Sequence, residues 1–415
     1  MTKTHFTLTI MLTVGMLNLF GQNKLDNALI DWENGEIKRA HEQVLRISNE
    51  APDKEKTKHL LFKSWFIQGQ YKEALQTFNN IDKAYRHYKE CVDLAILASI
   101  HMHDYDNALR IAEVNKSKQL SYIKDFRNKR FAVIADKTYY VPFLIDNEIS
   151  SDYWPGVTGR INGVQSSIRF DTGGDYLIVG LSAAQKLGID LKHKTKSIHG
   201  ASKVTVWHSI IDSVNFDNGP AFLNVPVTIM ASLGDFIIFG TNILEQFLST
   251  IDYPNNQFIF TPRNNVQLIE KHYEILSHSD VKVPFFLWED HFMIAKGKLA
   301  DNDNINLFFD SGLIFIQEVD EKLEQASFTA SKTSLLKWGF DKNILKVDGF
   351  IPTEHSLSVK SLSQPNTLIW YDSNLKKDRN FGGIRIDGLI SHAWLKNYSW
   401  TIDFDKMEYI FELKQ

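Results

Sequence analysis

Ile168-Arg169-Phe170-Asp171-Thr172-Gly173 and Leu307-Phe308-Phe309-Asp310-Ser311-Gly312 are the two stretches on which the fold turns. Each is an apolar run that stops at an aspartate, a small hydroxyl residue and a glycine. One such triplet is an ordinary turn and means little. Here, however, the surroundings repeat with it and in the same order. Val141-Pro142-Phe143 precedes the first triplet and Val283-Pro284-Phe285 the second. Ile238-Phe239-Gly240 follows the first and Leu389-Ile390-Ser391 the second. Thr250-Ile251-Asp252-Tyr253 with Gln257-Phe258-Ile259-Phe260 aligns without a gap to Thr401-Ile402-Asp403-Phe404 with Glu408-Tyr409-Ile410-Phe411. Chance supplies one match of this kind but not several in register, so residues 139–264 and 280–415 read as two duplicated lobes.

Within these lobes short Val, Ile and Phe runs alternate with turn signals such as Asn162-Gly163, Asp217-Asn218-Gly219 and Pro254-Asn255-Asn256. Asparagine and glycine tolerate the left-handed backbone that tight hairpins require. Many short strands with few helices predict an all-β barrel or sandwich. Upstream the pattern changes. Residues 24–116 carry helical periodicity, and Gly35-Glu36-Ile37-Lys38-Arg39-Ala40, Gly69-Gln70-Tyr71-Lys72-Glu73-Ala74 and His103-Asp104-Tyr105-Asp106-Asn107-Ala108 line up at a spacing of 34 residues. That period resembles tetratricopeptide repeats, stacked helix pairs in which a small alanine allows close approach. Residues 117–138, with Lys124, Arg127, Lys129 and Arg130, are expected to be a charged connector.

The chain of 415 residues has room for two or three domains, and 43% hydrophobic with 23% charged residues is a globular composition. A net charge of -4 offers no general attraction to nucleic acid or anionic membranes. Residues 1–21, with Lys3 ahead of the apolar run Phe6 to Phe20, read as a signal peptide cleaved near Gly21 or Gln22, which predicts an exported protein, periplasmic or secreted, with no stable membrane span afterwards. The single cysteine, Cys91, excludes an intrachain disulfide and is expected to be a buried, inert thiol.

An apolar strand ending in Asp-Thr-Gly or Asp-Ser-Gly, with an apolar-apolar-Gly segment roughly 65 to 80 residues later, resembles the pepsin and retropepsin-like aspartic peptidases, and in particular bacterial members in which the lobes follow a helical segment. The resemblance covers residues 139–415. It implies a two-lobed, all-β architecture after an all-α repeat array, with Asp171 and Asp310 as a catalytic pair. It further implies that Thr172 and Ser311 bond across the lobe interface, that Gly173 and Gly312 set amides against the carboxylates, and that Gly240 leaves room for the loop packed on it. The family's substrate-covering hairpin would fall within residues 196–209, with His199 and Gly200 near its tip and Trp207 beside it, and a second-lobe counterpart at Val347–Phe350 with Gly349. Three positions depart from the pattern: Gly174-Asp175 after the first triplet, Leu313-Ile314 after the second, and Ser391 where glycine belongs.

The chemistry such a pair supports is amide hydrolysis without metal or covalent intermediate. Two carboxylates about 3 Å apart cannot both ionise, so one acts as base on water while the other donates a proton. Asp175 is expected to be a solvated turn acid, with a third carboxylate in the cleft as the alternative; Asp252 and Asp403 are expected to be structural, and His101, His103 and Asp104 to be surface residues rather than a metal site. Lys192 to Lys196 reads as an exposed hairpin flank. No Gly-rich phosphate loop, CxxC pair or HExxH segment occurs, and no cofactor is expected. The expected substrate is a peptide or unfolded segment, with a protein partner on the repeats. The rival expectations are a catalytically inactive peptide-binding scaffold and a homodimer that builds its site between chains.

Overall fold

The computed structural model describes residues 24–144, 154–199, 202–276, 281–320, 322–373, 375 and 378–412. The expected signal peptide therefore lies outside the described residues. The chain divides into two compact units, one running up to Ser117 and taking in Asn380–Arg385, the other formed by Lys118–Arg379 and Ile386 onward.

The first unit is helical. A helix over 24–33 (α1) is followed by Ile37–Glu50 (α2), Glu55–Phe66 (α3), Tyr71–Phe78 (α4), Tyr88–His101 (α5) and Tyr105–Val114 (α6). The 34-residue spacing has a concrete cause. Gly35, Gly69 and His103 all take a left-handed backbone, with φ of 72°, 71° and 54°. At each the same pair of backbone bonds closes the preceding helix: Gly35 N–H to Trp32 O with Glu36 to Asp31, Gly69 to Phe66 with Gln70 to Trp65, and His103 to Ile100 with Asp104 to Ser99. This is the double bond of a helix C-terminus that then reverses direction. Ala40, Ala74 and Ala108, five residues on, are fully buried. Cys91 is buried too, and burial pushes its thiol up to about 12, which keeps it protonated and unreactive.

The second unit opens with Leu120–Asn128 (α7) and Ala132–Ile134 (β1). Segment 117–138 was expected to be a connector; instead it contributes these two elements to the β unit, with β1 pairing to a strand at residues 221–223. Ile123 and Phe126, one turn apart on α7, are buried, which anchors the helix despite its charged outer face.

The first lobe then runs through Tyr139–Pro142 (β2), Gly156–Ile161 (β3), Val164–Phe170 (β4), Leu177–Gly180 (β5), Leu181–Lys186 (α8), Lys194–His199 (β6), Ser202–Phe216 (β7), Ala221–Met230 (β8), Ile237–Phe239 (β9), Thr241–Leu244 (α9), Phe247–Asp252 (β10) and Gln257–Pro262 (β11). Strands β8-β5-β9-β4-β3-β7 follow one another edge to edge, and β7 pairs back to β8, closing a six-stranded barrel. The turn signals act where expected: Asn162, Gly163, Asn218 and Asn256 all have positive φ. Val266–Leu276 (α10) leads to the second lobe.

That lobe comprises Val281–Trp288 (β12), Phe292–Leu299 (β13), Asn302–Phe309 (β14), Ile316–Val319 (β15), Lys322–Gln325 (β16), Phe328–Ala330 (β17), Lys332–Lys337 (α11), Gly349–Pro352 (β18), Leu357–Val359 (β19), Leu362–Gln364 (β20) and Leu368–Tyr371 (β21); after the paired strands Arg379–Phe381 (β22) and Ile384–Ile386 (β23), whose residues 380–385 are counted with the first unit, it continues with Gly388–Ile390 (β24), His392–Leu395 (α12), Ser399–Asp403 (β25) and Glu408–Glu412 (β26). Six strands, in the order β12-β26-β25-β10-β11-β2, form a sheet shared by both lobes. At its centre Thr250 pairs with Thr401, their hydroxyls 2.6 Å apart. These are the two residues that the internal repeat equates, so the duplication's pseudo-twofold axis passes between them. Packed against this frame are Phe170, Phe258, Phe309, Trp400 and Tyr409, all fully buried. Aromatic burial on this scale dominates the stability of such a core.

Candidate active site

Each triplet emerges from an apolar strand that lies parallel to a short neighbour. Phe170 of β4 pairs with Phe239 of β9, and Phe309 of β14 pairs with Ile390 of β24. The next amide in each lobe then donates to that neighbour: Asp171 N–H to Phe239 O at 3.0 Å and Asp310 N–H to Ile390 O at 2.9 Å. The strand interior stays dry and paired while the aspartate is turned out at its end.

Across the interface the hydroxyls lock the triplets together. Thr172 N–H donates to Ser311 Oγ at 2.9 Å, Ser311 N–H donates to Thr172 Oγ1 at 3.0 Å, and Thr172 Oγ1 donates to Phe309 O at 2.7 Å. Both side chains are fully buried, so every one of these polar atoms depends on its partner. The result is that Asp171 and Asp310, 139 positions apart in the chain, meet. A β-carbon placed on Gly173 would lie 2.8 Å from Asp310 Oδ1 and 3.0 Å from Asp171 Oδ1, and one on Gly312 would lie 2.2 Å from Asp171 Cγ. No side chain fits at either glycine.

The two carboxylates are not equivalent. Gly173 N–H and Gly312 N–H both donate to Asp171 Oδ1, at 2.6 and 3.0 Å. Burial raises the pKa of Asp171, while these amides, a hydrogen bond with Asp310 and the charge of His291 oppose the rise. Asp310 is raised well above the carboxylate range, by burial first and then by the charge of Asp171. The two amides thus favour the charge on Asp171, while the pair as a whole holds a proton above the ordinary carboxylate range.

Four further charged groups gather near this pair, and of these only Asp175 was marked by the sequence. Asp175, expected to be a solvated turn acid, is half-buried. Its Oδ2 accepts from Thr228 Oγ1 at 3.0 Å, and burial followed by the charge of Asp290 raises it to about 7, against the opposing pull of His291 and Thr228. Asp290 and His291 occupy the turn between β12 and β13. Burial alone would depress His291, but Asp290, 2.5 Å from its Nδ1, holds it at about 9. Arg379, at the start of β22, is close enough to Asp310 for each to perturb the other, and its Nη1 is buried without a partner among the described residues. The position after a triplet is read from its immediate neighbours, whereas these environments are built by residues far along the chain.

Gly240 behaves as expected: a β-carbon there would sit 2.1 Å from Asp175 O. Ser391 sits without strain. Its hydroxyl donates to Ala326 O and accepts from Ala393 N–H at 3.2 Å. After the second triplet the chain leaves as the β15–β16 hairpin and returns through Ala326, whose carbonyl stands where that of Asp175 stands against Gly240 and here accepts the added hydroxyl. Leu313 and Ile314 begin that departure and lead to Phe315, which stacks on Trp370 at 4.7 Å.

The expected covering hairpin is β6–β7. His199 and Ser202 pair at its end, and Gly200 lies outside the described residues. Trp207 sits lower on β7, half-buried, with Lys194 Nζ 5.6 Å from its ring centre. The second-lobe counterpart differs from expectation. Gly349 is no hairpin tip; it opens β18 and pairs with Tyr371 at the edge of the sheet. Asp252 and Asp403 are turn residues, accepting from Asn255 N–H, and from Asp405 and Lys406 N–H, respectively. His101 stacks on Tyr71 at 4.6 Å, and Asp104 caps α6. Among the described residues no group of three or more His, Cys, Asp or Glu is placed to hold a metal ion.

No curated protein matches the chain. A solved retropepsin-like aspartic protease from Rickettsia conorii is 22% identical, over 32% of this chain and 95% of that one, with a TM-score of 0.25. Residues 157–246, from β3 past the apolar-apolar-Gly segment to α9, match the family described as "gag-polyprotein putative aspartyl protease". The match thus falls on the first lobe, around the Asp171-Thr172-Gly173 triplet, and is a similarity of that segment to the family of retropepsin-like aspartyl proteases.

Proposed function

We propose that the β unit is an aspartic-type endopeptidase in which Asp171 and Asp310 hydrolyse a peptide bond with one activated water. The observation that carries this reading is that both glycine amides fall on one carboxylate, which favours the charge there and the proton on its neighbour. Ionised Asp171 removes a proton from water as the oxygen bonds to the scissile carbonyl carbon, and Asp310 gives its proton to the carbonyl oxygen. A neutral diol results, with the proton now on Asp171. As the carbon–nitrogen bond breaks, Asp171 protonates the leaving nitrogen and a diol hydroxyl returns its proton to Asp310. The site ends as it began. An extended peptide would lie in the cleft between the lobes, added as a strand through main-chain bonds.

Asp171→Asn and Asp310→Asn are each expected to reduce hydrolysis of a mixed peptide library, followed from pH 3 to 8, by at least about a thousandfold. Folding should remain intact by circular dichroism, and a statine-type inhibitor, which mimics the tetrahedral diol, should block the wild type. Full activity in either purified variant would end the proposal. One observation favours a second reading, an inactive peptide-binding scaffold: Arg379 beside Asp310 works against the proton that Asp310 must keep. Tight peptide binding without cleavage in the same experiment would select it. As part of the proposal, the helical unit is a tetratricopeptide-like partner-binding scaffold, and the protein acts outside the cytoplasm after removal of residues 1–21.

A further inference from the structure

Residues 380–385 are counted with the helices although both their neighbours in the chain, Arg379 and Ile386, belong to the β unit. They form the turn between β22 and β23. The turn is closed from within: Gly383 N–H donates to Asn380 Oδ1 at 2.7 Å, and Gly382 and Gly383 take φ of 59° and 95°. Glycine adopts such angles with no steric cost. Both ends of the hairpin are tied inside the β unit. Ahead of β22, Asp378 accepts from the Ser331 hydroxyl and from Ser334 Oγ at 2.7 Å. After β23, Asp387 N–H donates to Asn306 O at 2.9 Å, and Asp387 Oδ2 accepts from Asn306 N–H at 2.8 Å. A turn preformed and anchored in this way loses little conformational freedom when it is bound.

What it meets comes from the first helix of each pair. Trp32 of α1 is buried, and its indole Nε1–H donates to Gly382 O at 2.9 Å. A buried N–H needs an acceptor, and this one lies 350 positions along the chain. A β-carbon on Gly383 would lie 3.0 Å from the same Nε1, 3.3 Å from Trp32 Cδ1 and 3.7 Å from Lys63 Nζ. Lys63 of α3 is buried too, with its Nζ 5.3 Å from the centre of the Trp32 ring and 3.4 Å from Oε1 of Glu90 on α5. Helices α1, α3 and α5 are thus joined in one row at the turn. Stacked repeats use such a shared face as their binding surface.

We infer that this row is the ligand-binding face of the helical unit and that the chain's own glycine turn, residues 380–385, occupies it as an internal ligand. The inference deepens the scaffold reading of the helices and does not depend on whether the β unit cuts peptides. The face reads a main-chain carbonyl through Trp32 and rejects a side chain on the residue that follows. A partner that uses it presents a turn of the same kind and has to displace residues 380–385 first. Tethering gives the internal turn an effective concentration on the order of millimolar, which keeps the face filled.

The test uses the full chain in two measurements. Hydrogen exchange, read by mass spectrometry, should be at least about tenfold faster at the 380–385 amides in Trp32→Phe, which keeps an aromatic ring but loses the donor, than in the wild type. Unchanged exchange in a Trp32→Phe protein of native circular dichroism would overturn the internal ligand. In the second measurement the probe is a cyclised, fluorescein-labelled peptide of residues 379–386, followed by fluorescence anisotropy. Gly383→Val drives the tip off the face, so this variant should bind the probe at least about tenfold more tightly than the wild type. Adding Trp32→Phe should abolish that gain. Equal, tight binding by wild type and Gly383→Val would overturn the internal ligand and leave the scaffold reading standing. No binding by folded Gly383→Val would overturn both.

Discussion

The two lobes share one plan yet treat the residue behind the triplet loop in opposite ways. In the first lobe the chain runs directly from Gly173 through Gly174 and Asp175 into β5, and that backbone presses against Gly240. In the second lobe the β15–β16 hairpin intervenes, and the corresponding position is Ser391, whose hydroxyl is bonded on both sides. A motif position is therefore set by what the neighbouring chain does, and a departure from the pattern is tolerated where that backbone bonds the added hydroxyl. The same asymmetry gives the first lobe a half-buried third carboxylate at Asp175, where the second has the apolar Ile314 and the Phe315–Trp370 stack.

The largest expected effect follows from this contrast. Gly240→Ser drives a β-carbon into backbone oxygens and should cost about 3 kcal/mol or more. Ser391→Gly loses two hydrogen bonds and should cost about 1–2 kcal/mol. Urea unfolding of both variants measures the difference, and equal costs would mean that the lobes are not asymmetric here. Next come the cross-lobe hydroxyls. Ser311→Ala leaves the buried Thr172 N–H without its acceptor, and Thr172→Val does the same to Ser311 N–H, each at about 1–3 kcal/mol. Because the two belong to one network, the double variant should cost less than the sum of the singles. Additive costs in a double-mutant cycle would show that the lobes are joined elsewhere.

The smallest effect concerns Asp175 and pH. Its pKa is about 7 in the folded protein against about 3.9 in an unfolded chain. The folded state thus holds this proton more tightly, and ionising the group as pH rises from about 4 to 7 destabilises the fold, with no further change above. Asp175→Asn removes the titration, so the melting-temperature advantage of the variant over wild type should grow from pH 4.5 to 7 and then level off. A difference that stays constant across that range would place Asp175 in solvent after all.

Much of this was legible beforehand because it is local or repeated. The 34-residue spacing works through a single left-handed residue that any one repeat must contain, and His103 serves where two repeats have glycine. Asn162-Gly163 and Asn256 mark their turns for the same reason. The matched segments of the duplication equated Thr250 with Thr401, and the structure pairs these two residues at the junction of the lobes. Other readings failed where the surroundings come from elsewhere. Residues 117–138 look like a charged connector because only Ile123 and Phe126 of α7 face inward. Gly349 was placed in a covering hairpin only by its position in the second lobe, yet it begins an edge strand. Asp290, His291 and Arg379 stand in no motif at all.

By itself the sequence determined that there are two lobes, that each ends an apolar strand in an aspartate, and that helix pairs precede them, since periodicity and turn chemistry act over a few residues. Tertiary structure alone decided which aspartate receives both amides, that Asp175 is a half-buried acid rather than a solvated one, and that Ser391 is tolerated. Desolvation and electrostatic fields reach a carboxylate from groups more than a hundred positions away, and only the folded chain brings them there.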